Sequence, residues 1–218
     1  MSFLRIVSLS DDETAGSKLF NEHGICLYIE HGDNRILFGT GASALFSSNA
    51  ERLGIPTDKS DTVILPLNSD DITGGVETAV RKNKDLRIFI REDAATDCAK
   101  KEKLLRVRNG LPQSFYKSDK YNIFRFERFT EICKDFYLVA VDKKEKSAET
   151  DRHYYIKKKG FYVADDFSEE CFAVCFPKRR RDGFVILTGG AYTGIAGIVN
   201  TAKRLWNAPV LSVVGCFG

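Results

Sequence analysis

Three short apolar runs in this chain end in small-residue turns that open helices. Ile36-Leu37-Phe38 leads into Gly39-Thr40-Gly41, Thr62 to Leu67 into Asn68-Ser69-Asp70-Asp71, and Phe184 to Leu187 into Thr188-Gly189-Gly190. A strand followed at once by a helix lays that helix back on its own sheet, so the chain must build sheets covered by helices. The turns fall at strand C-terminal ends, where such folds place ligands.

Around them the spacing predicts strands near residues 3–9, 25–31 and 35–38, the last two joined across His31-Gly32-Asp33-Asn34 as a hairpin. A helix from Ala44 to Leu53 has its stop signals in Gly54 and Pro56. A second helix ends near Asn83, and Leu86 to Arg91 is a strand. The first half thus reads as a hairpin followed by βαβαβ, a mixed sheet with helices on its outer face. Residues 93–108, rich in Lys and Arg, read as a charged helix. Tyr121 to Thr130 and Phe136 to Val141 read as strands, and Lys143 to His153 as a polar loop. Strands resume at Phe161–Ala164, Cys171–Phe176 and Phe184–Leu187, the last two a hairpin across Pro177 to Gly183. A helix from Thr193 to Trp206 and a strand at Val210–Val214 follow. No linker or low-complexity segment divides residues 1–218, so a single α+β domain is expected, two β-rich halves forming a βα/αβ sandwich.

Composition narrows the chemistry. There are three histidines, His23, His31 and His153, too far apart in sequence for a local metal motif. A net charge of +3 is too mild to imply nucleic acid. The basic runs Lys157–Lys159 and Lys178–Arg181 read as solvated loop charge. The six cysteines include no CxxC pair; reduced, buried thiols are the main reading, with zinc ligation or a disulfide as alternatives. Cys171 and Cys175 would share one face of a strand. MSFLRIVSLS breaks its apolar run at Arg5 and lacks a cleavage site, and no stretch has the length of a membrane span. A cytoplasmic protein with no membrane or nucleic-acid partner is expected.

Each turn admits two readings. Gly39 to Ala44 matches a loose dinucleotide fingerprint, but the following strand ends in Leu65-Pro66-Leu67 rather than an acid for a ribose, which favours a plain tight turn. Asp70 and Asp71 suit a cation, a general base, or the start of the next helix. The N–H groups of Thr188 to Gly194 could hold an anion with Tyr192 as a donor, or form a glycine turn alone.

Taken in order, several segments resemble one family. Glu22-His23-Gly24-Ile25 is similar to an EHGLS opening, Ile36 to Gly41 to ILFDTG, and Asn49 to Ile55 to NAxxLGI. Asp165-Asp166-Phe167 with Glu169-Glu170 is similar to DDFxxE, Gly183 to Ile195 to GLVVLTGCSHSGI, and Val213 to Gly218 to VIGGFH. These are motifs of a metallo-β-lactamase-fold branch that includes dihydropterin-linked phosphate synthases and many metal-dependent hydrolases. The resemblance covers nearly the whole chain except residues 93–155. It implies a four-layer βα/αβ sandwich, two mixed sheets packed face to face with helices outside.

It also implies where a binuclear metal centre would lie. Family members carry SHGHYDHTGG where this chain has Pro66 to Gly75. The three histidine positions hold Leu67, Ser69 and Ile72, and only the aspartate remains, as Asp71. Gly39 replaces the acid of DTG, while Tyr192 and Gly218 replace two further histidines. Leu67 and Ile72 offer no ligand atom, and Ser69 with Asp71 falls short of three protein ligands. No metal or cofactor is therefore expected. The former cleft, comprising Asn68, Ser69, Asp70, Asp71, Tyr192, Thr193 and Cys216, is expected to bind a small molecule, such as a phosphorylated metabolite, or to serve regulation. Two enzymatic readings stand beside this one. In the first, Asp70, Asp71 and Cys216 hold a single metal. In the second, metal-free acid–base chemistry uses Asp71 as base and Tyr192 as proton donor. The aromatic-rich middle segment also suits self-association as a homo-oligomer.

Overall fold

Alternation in the opening residues gives an antiparallel meander of β1 (Leu4–Ser10), β2 (Cys26–His31) and β3 (Asn34–Phe38), with His31 paired to Asn34 across the tight turn. The computed structural model describes residues 4–13, 18–94, 97–145 and 153–217. After β3 come α1 (Leu45–Leu53), β4 (Thr62–Ile64), α2 (Asp70–Thr73), α3 (Val76–Lys82) and β5 (Arg87–Arg91). Gly54 ends α1 in the left-handed conformation at φ 67°. Next are β6 (Cys98–Glu102), β7 (Leu105–Asn109), α4 (Gln113–Tyr116), β8 (Asn122–Phe126), β9 (Phe129–Cys133) and β10 (Phe136–Ala140). The chain closes with β11 (Tyr154–Lys158), β12 (Phe161–Ala164), β13 (Cys171–Cys175), β14 (Phe184–Thr188), α5 (Ile195–Leu205) and β15 (Val210–Gly215).

Two mixed sheets carry the core. One has the order β1-β2-β3-β4-β5-β8, parallel from β3 onward; the other is β15-β14-β13-β10-β9, with β14 and β15 parallel. They pack face to face through Ile29, Phe38 and Ile64 on one side and Phe136, Leu138, Ala173 and Leu187 on the other. Cys171 and Cys175 point into this same layer, as their spacing predicted. The outer face of the first sheet buries Phe46, Val76 and Phe115 from α1, α3 and α4. The outer face of the second buries Ile198 and Ala202 of α5. The result is the expected four-layer sandwich. No helix of the described residues is long and apolar enough to cross a membrane, and no disulfide forms among them.

Two expectations for the middle of the chain are corrected. Residues 97–108, expected as part of a charged helix over 93–108, are not helical. They hold the β6–β7 hairpin, turned at Lys103 with φ 54°. Leu105-Arg106-Val107-Arg108 has the two-residue alternation of a strand, and Cys98 and Asn109 face each other as its buried pair. This hairpin joins β11 and β12 in an antiparallel sheet of order β12-β11-β6-β7, which among the described residues stands as a third sheet beside the two main ones. The expected strand from Tyr121 to Thr130 also breaks. Beyond Phe126 the chain crosses between the main sheets, and β8 and β9 lie on different ones.

Candidate functional site

The three strand–turn–helix junctions define the site. After β4 the chain passes Pro66, whose carbonyl accepts the N–H of Cys171 at 2.9 Å and ties the two main sheets together. Leu67 and Ile72 then turn inward, at 2% and 0% exposure, and belong to the core between the sheets. Asn68 turns toward the third sheet. Its Oδ1 accepts the N–H of Leu111 at 2.8 Å, and its Nδ2 donates to Cys98 Sγ at 3.7 Å. Ser69 Oγ donates to Asp71 Oδ1. The Asp70 N–H donates to Asn109 Oδ1 at 3.1 Å, while Asp70 Oδ1 accepts the Gly110 N–H at 2.7 Å and Lys100 Nζ lies 3.5 Å from its other oxygen. Both aspartates sit in the first turn of α2, where a carboxylate is favourable. Asp70 thus anchors the β7 end of the hairpin, and α2 has no side-chain cap.

The turn after β14 is filled by the protein itself. Glu170, 1% exposed, accepts the N–H groups of Tyr192 and Thr193 at 3.1 and 2.7 Å and the Thr193 hydroxyl at 2.6 Å. The N–H pair that the sequence offers to an anion is thus already held by a carboxylate. Tyr192 stacks on Phe167 with centroids 4.5 Å apart and meets Tyr154 edge-on at 5.6 Å. Burial, then the charge of Asp71, pushes its phenol well above the usual range.

The turn after β3 follows the same rule. The N–H groups of Gly39, Thr40 and Gly41 donate to the carbonyls of Ile64, Ile72 and Ile25, and the Ser43 N–H to Glu22 Oε1. No pyrophosphate cradle remains, so the dinucleotide reading gives way to the tight turn.

Of the sequence-predicted residues, the structure brings Asp71, Tyr192 and Cys216 together. Asp71 acts electrostatically on both of the others, and burial with Asp11, Asp12 and Asp71 pushes the Cys216 thiol up to about 11. Ser69 joins them through its bond to Asp71. Asn68 and Asp70 face the third sheet, and Thr193 faces Glu170. His23 adds to the mouth of the cleft with Nδ1 3.0 Å from Asp12. His31 is a buried core residue bonded to the Lys134 carbonyl at 3.0 Å. Gly218 lies outside the described residues. Sequence reasoning missed Glu22, Asn109 and Glu170, whose partners at the turns are 21 to 39 residues away. It also missed a buried group formed by Cys98, Asp165 and Glu169. The DDFxxE resemblance was the one signal that pointed to Asp165 and Glu170.

No family model matches the chain. An uncharacterized protein of Methanocaldococcus jannaschii, MJ0448, is 22% identical over 213 residues, covering 97% of this chain and 78% of that one. The crystal structure of Tm1679, a metal-dependent hydrolase of the β-lactamase superfamily, matches with a TM-score of 0.81 at 25% identity, over 98% of this chain and 76% of that one. An N-acyl homoserine lactone hydrolase, solved with its product at the catalytic metal centre, matches with a TM-score of 0.56 at 12% identity, over 97% and 92%. This second likeness is one of fold alone. By its sandwich, its strand order and its likeness to these structures, the chain has the metallo-β-lactamase fold, the fold of these metal-dependent hydrolases.

Proposed function

We propose that this protein keeps the hydrolase architecture but uses the cleft of Ser69, Asp71, Tyr192 and Cys216 to bind a small molecule without a binuclear metal centre. The burial of Leu67 and Ile72 in the inter-sheet core carries this reading. At the positions where the resemblance places histidine ligands, these side chains offer packing and no donor atom. A metal-bound water needs at least three protein ligands to hold the ion. Ser69 and Asp71, with a buried phenol at Tyr192, do not supply that set. Histidines at positions 67 and 72 would also have to be accommodated in an apolar layer, at a cost of a few kcal/mol each.

The cleft's charge favours one class of ligand. The charges of Asp11, Asp12 and Asp71 all act on Cys216, and the N–H pair at residues 192–193 is occupied. A cationic or hydrogen-bond-donating group fits this mouth better than the phosphate suggested by the sequence. A thermal-shift panel of polyamines, basic amino acids and sugar phosphates tests the reading. Binding by a cationic member, weakened about tenfold or more in Asp71→Asn, supports it. Two equivalents of metal that disappear in Asp71→Asn, together with chelator-sensitive phosphodiester or ester hydrolysis, overturn it.

The closeness of Asp71 and Tyr192 keeps a second reading alive, in which Asp71 acts as general base and Tyr192 as proton donor without metal. Its signature is ester turnover that resists chelator and is lost in both Asp71→Asn and Tyr192→Phe.

A further inference from the structure

Cys98 on β6, and Asp165 and Glu169 on the segment between β12 and β13, form a second cluster that the cleft does not use. Each is 4% exposed, and one ligand atom from each lies within 4.8 Å of the other two. Asp165 Oδ1 accepts the Phe167 N–H at 2.7 Å. Glu169 Oε1, by contrast, is buried with no hydrogen-bond partner. The charges acting most strongly on Glu169 are those of Asp165, Asp93 and Glu170, all negative. Buried carboxylates are normally paired, because leaving one alone costs several kcal/mol. Asp93 is paired with Arg91 at 3.1 Å, but the buried Glu169 oxygen is left without a hydrogen bond among acids, a setting that a bound cation would relieve.

We propose that Cys98, Asp165 and Glu169 form a site for one divalent transition-metal ion of the zinc class. The sulfur argues against magnesium and calcium, which take oxygen ligands, while zinc accepts thiolate and carboxylate together. In a tetrahedral site the ligand atoms stand about 3.3–3.5 Å apart, so side-chain adjustments of roughly an ångström close the cluster on an ion. On binding, the Cys98 thiol and the Glu169 carboxyl, which burial pushes up to about 8, each give a proton to solvent; the sulfur–metal bond forms and both carboxylates bind as anions. The surroundings suit a structural role. Asn68 Nδ2 already donates to Cys98 Sγ, and Tyr116, 4% exposed, lies close enough to feel Cys98 and Glu169. The ion would fasten the third sheet to the segment leading into β13 and, through Asn68, to the turn that carries Ser69 and Asp71. None of its ligands belongs to the cleft of the proposed function.

The test is metal analysis of the full, untagged chain purified from zinc-supplemented culture, with cobalt substitution as a second readout. The expected result is about one equivalent of zinc and a thiolate-to-cobalt charge-transfer band. Cys98→Ser and Glu169→Gln should lower the metal at least tenfold, whereas Asp71→Asn and Tyr192→Phe retain it. Glu169→Gln keeps the side chain's shape and carries the readout should Cys98→Ser fail to fold. Protein that takes up no metal, even when refolded with excess zinc, overturns this site and leaves the proposed function standing. Metal that survives Cys98→Ser and Glu169→Gln but is lost in Asp71→Asn overturns both.

Discussion

Replacing Glu170 by alanine tests whether the turn after β14 is held by the protein's own carboxylate. The substitution strands three donors, the part-buried N–H of Tyr192 and the buried N–H and hydroxyl of Thr193, which now lie 2.6 to 3.1 Å from Glu170 oxygens. Each unsatisfied buried donor costs about 1–3 kcal/mol, and bonds to a charged acceptor lie toward the upper end. Water entering the vacated space recovers part of this, so Glu170→Ala should lose about 3–5 kcal/mol. For a chain of this size that lowers Tm by about 6–20 °C and the urea midpoint by about 1–2 M at unchanged slope. Glu170→Gln keeps one acceptor oxygen but turns an NH2 group toward a donor, so it should fall between the two. Acetate or formate should stabilise the alanine variant more than the parent chain, because a small carboxylate can re-enter the N–H cradle. A loss below about 1 kcal/mol, or no selective rescue, would refute the argument that this turn is closed from within.

Other consequences follow from the same geometry. Leu67→Ala and Ile72→Ala should each cost about 2–5 kcal/mol in urea unfolding, as core truncations do; values under about 1 kcal/mol would place these side chains in an open cleft instead. Gly24→Ala should cost far more than Gly32→Ala. Both have positive φ, but a Cβ at Gly24 would lie 2.1 Å from the Asp71 carbonyl oxygen, whereas Gly32 has nothing within 4 Å. The Gly32 change should cost only about 1–2 kcal/mol of left-handed strain, and equal losses would contradict the close approach at Asp71. Only Cys133 and Cys216 are half-buried rather than buried, and both thiols are pushed up to about 11. Ellman's reagent at pH 8 should therefore react with these two in the folded protein, about 100-fold more slowly than an ordinary thiol. Asp71→Asn removes one of the negative charges acting on Cys216 and should speed that thiol alone; an unchanged rate would separate Asp71 from Cys216.

Much of the fold was legible because it is written locally. Strand, small-residue turn and helix follow each other within a few residues, and the His31–Asn34 hairpin is fixed by its own turn chemistry. The third sheet was hidden because its strands carry charge on exposed positions. In β7 the cations Arg106 and Arg108 alternate with Leu105 and Val107, a two-residue period easily lost among the neighbouring lysines. The break after Phe126 was hidden for another reason. β8 and β9 are both aromatic and differ only in which sheet they join, a long-range choice that their own residues do not encode. The site was half legible: the apolar residues at positions 67 and 72 could be read off directly, but not the carboxylates that fill the turns. Glu22 and Glu170 reach their turns only through the fold.

The glycines of these turns invite a stronger inference than they support. Such positions usually suggest backbone approaching a phosphate, yet here the backbone approaches the protein's own chain. A Cβ at Gly39 would lie 2.3 Å from the Ile25 carbonyl oxygen, at Gly74 2.0 Å from that of Ala42, and at Gly215 1.9 Å from that of Thr188. Each contact joins a turn to another strand or turn of the same sandwich, so the packing alone requires glycine whether or not a ligand is ever bound. Histidine at positions 67 and 72 carries no such requirement, since leucine and isoleucine fill the inter-sheet layer without strain or an unsatisfied polar atom. The turn glycines are therefore required by the packing of this sandwich, whereas nothing in that packing requires histidine at positions 67 and 72.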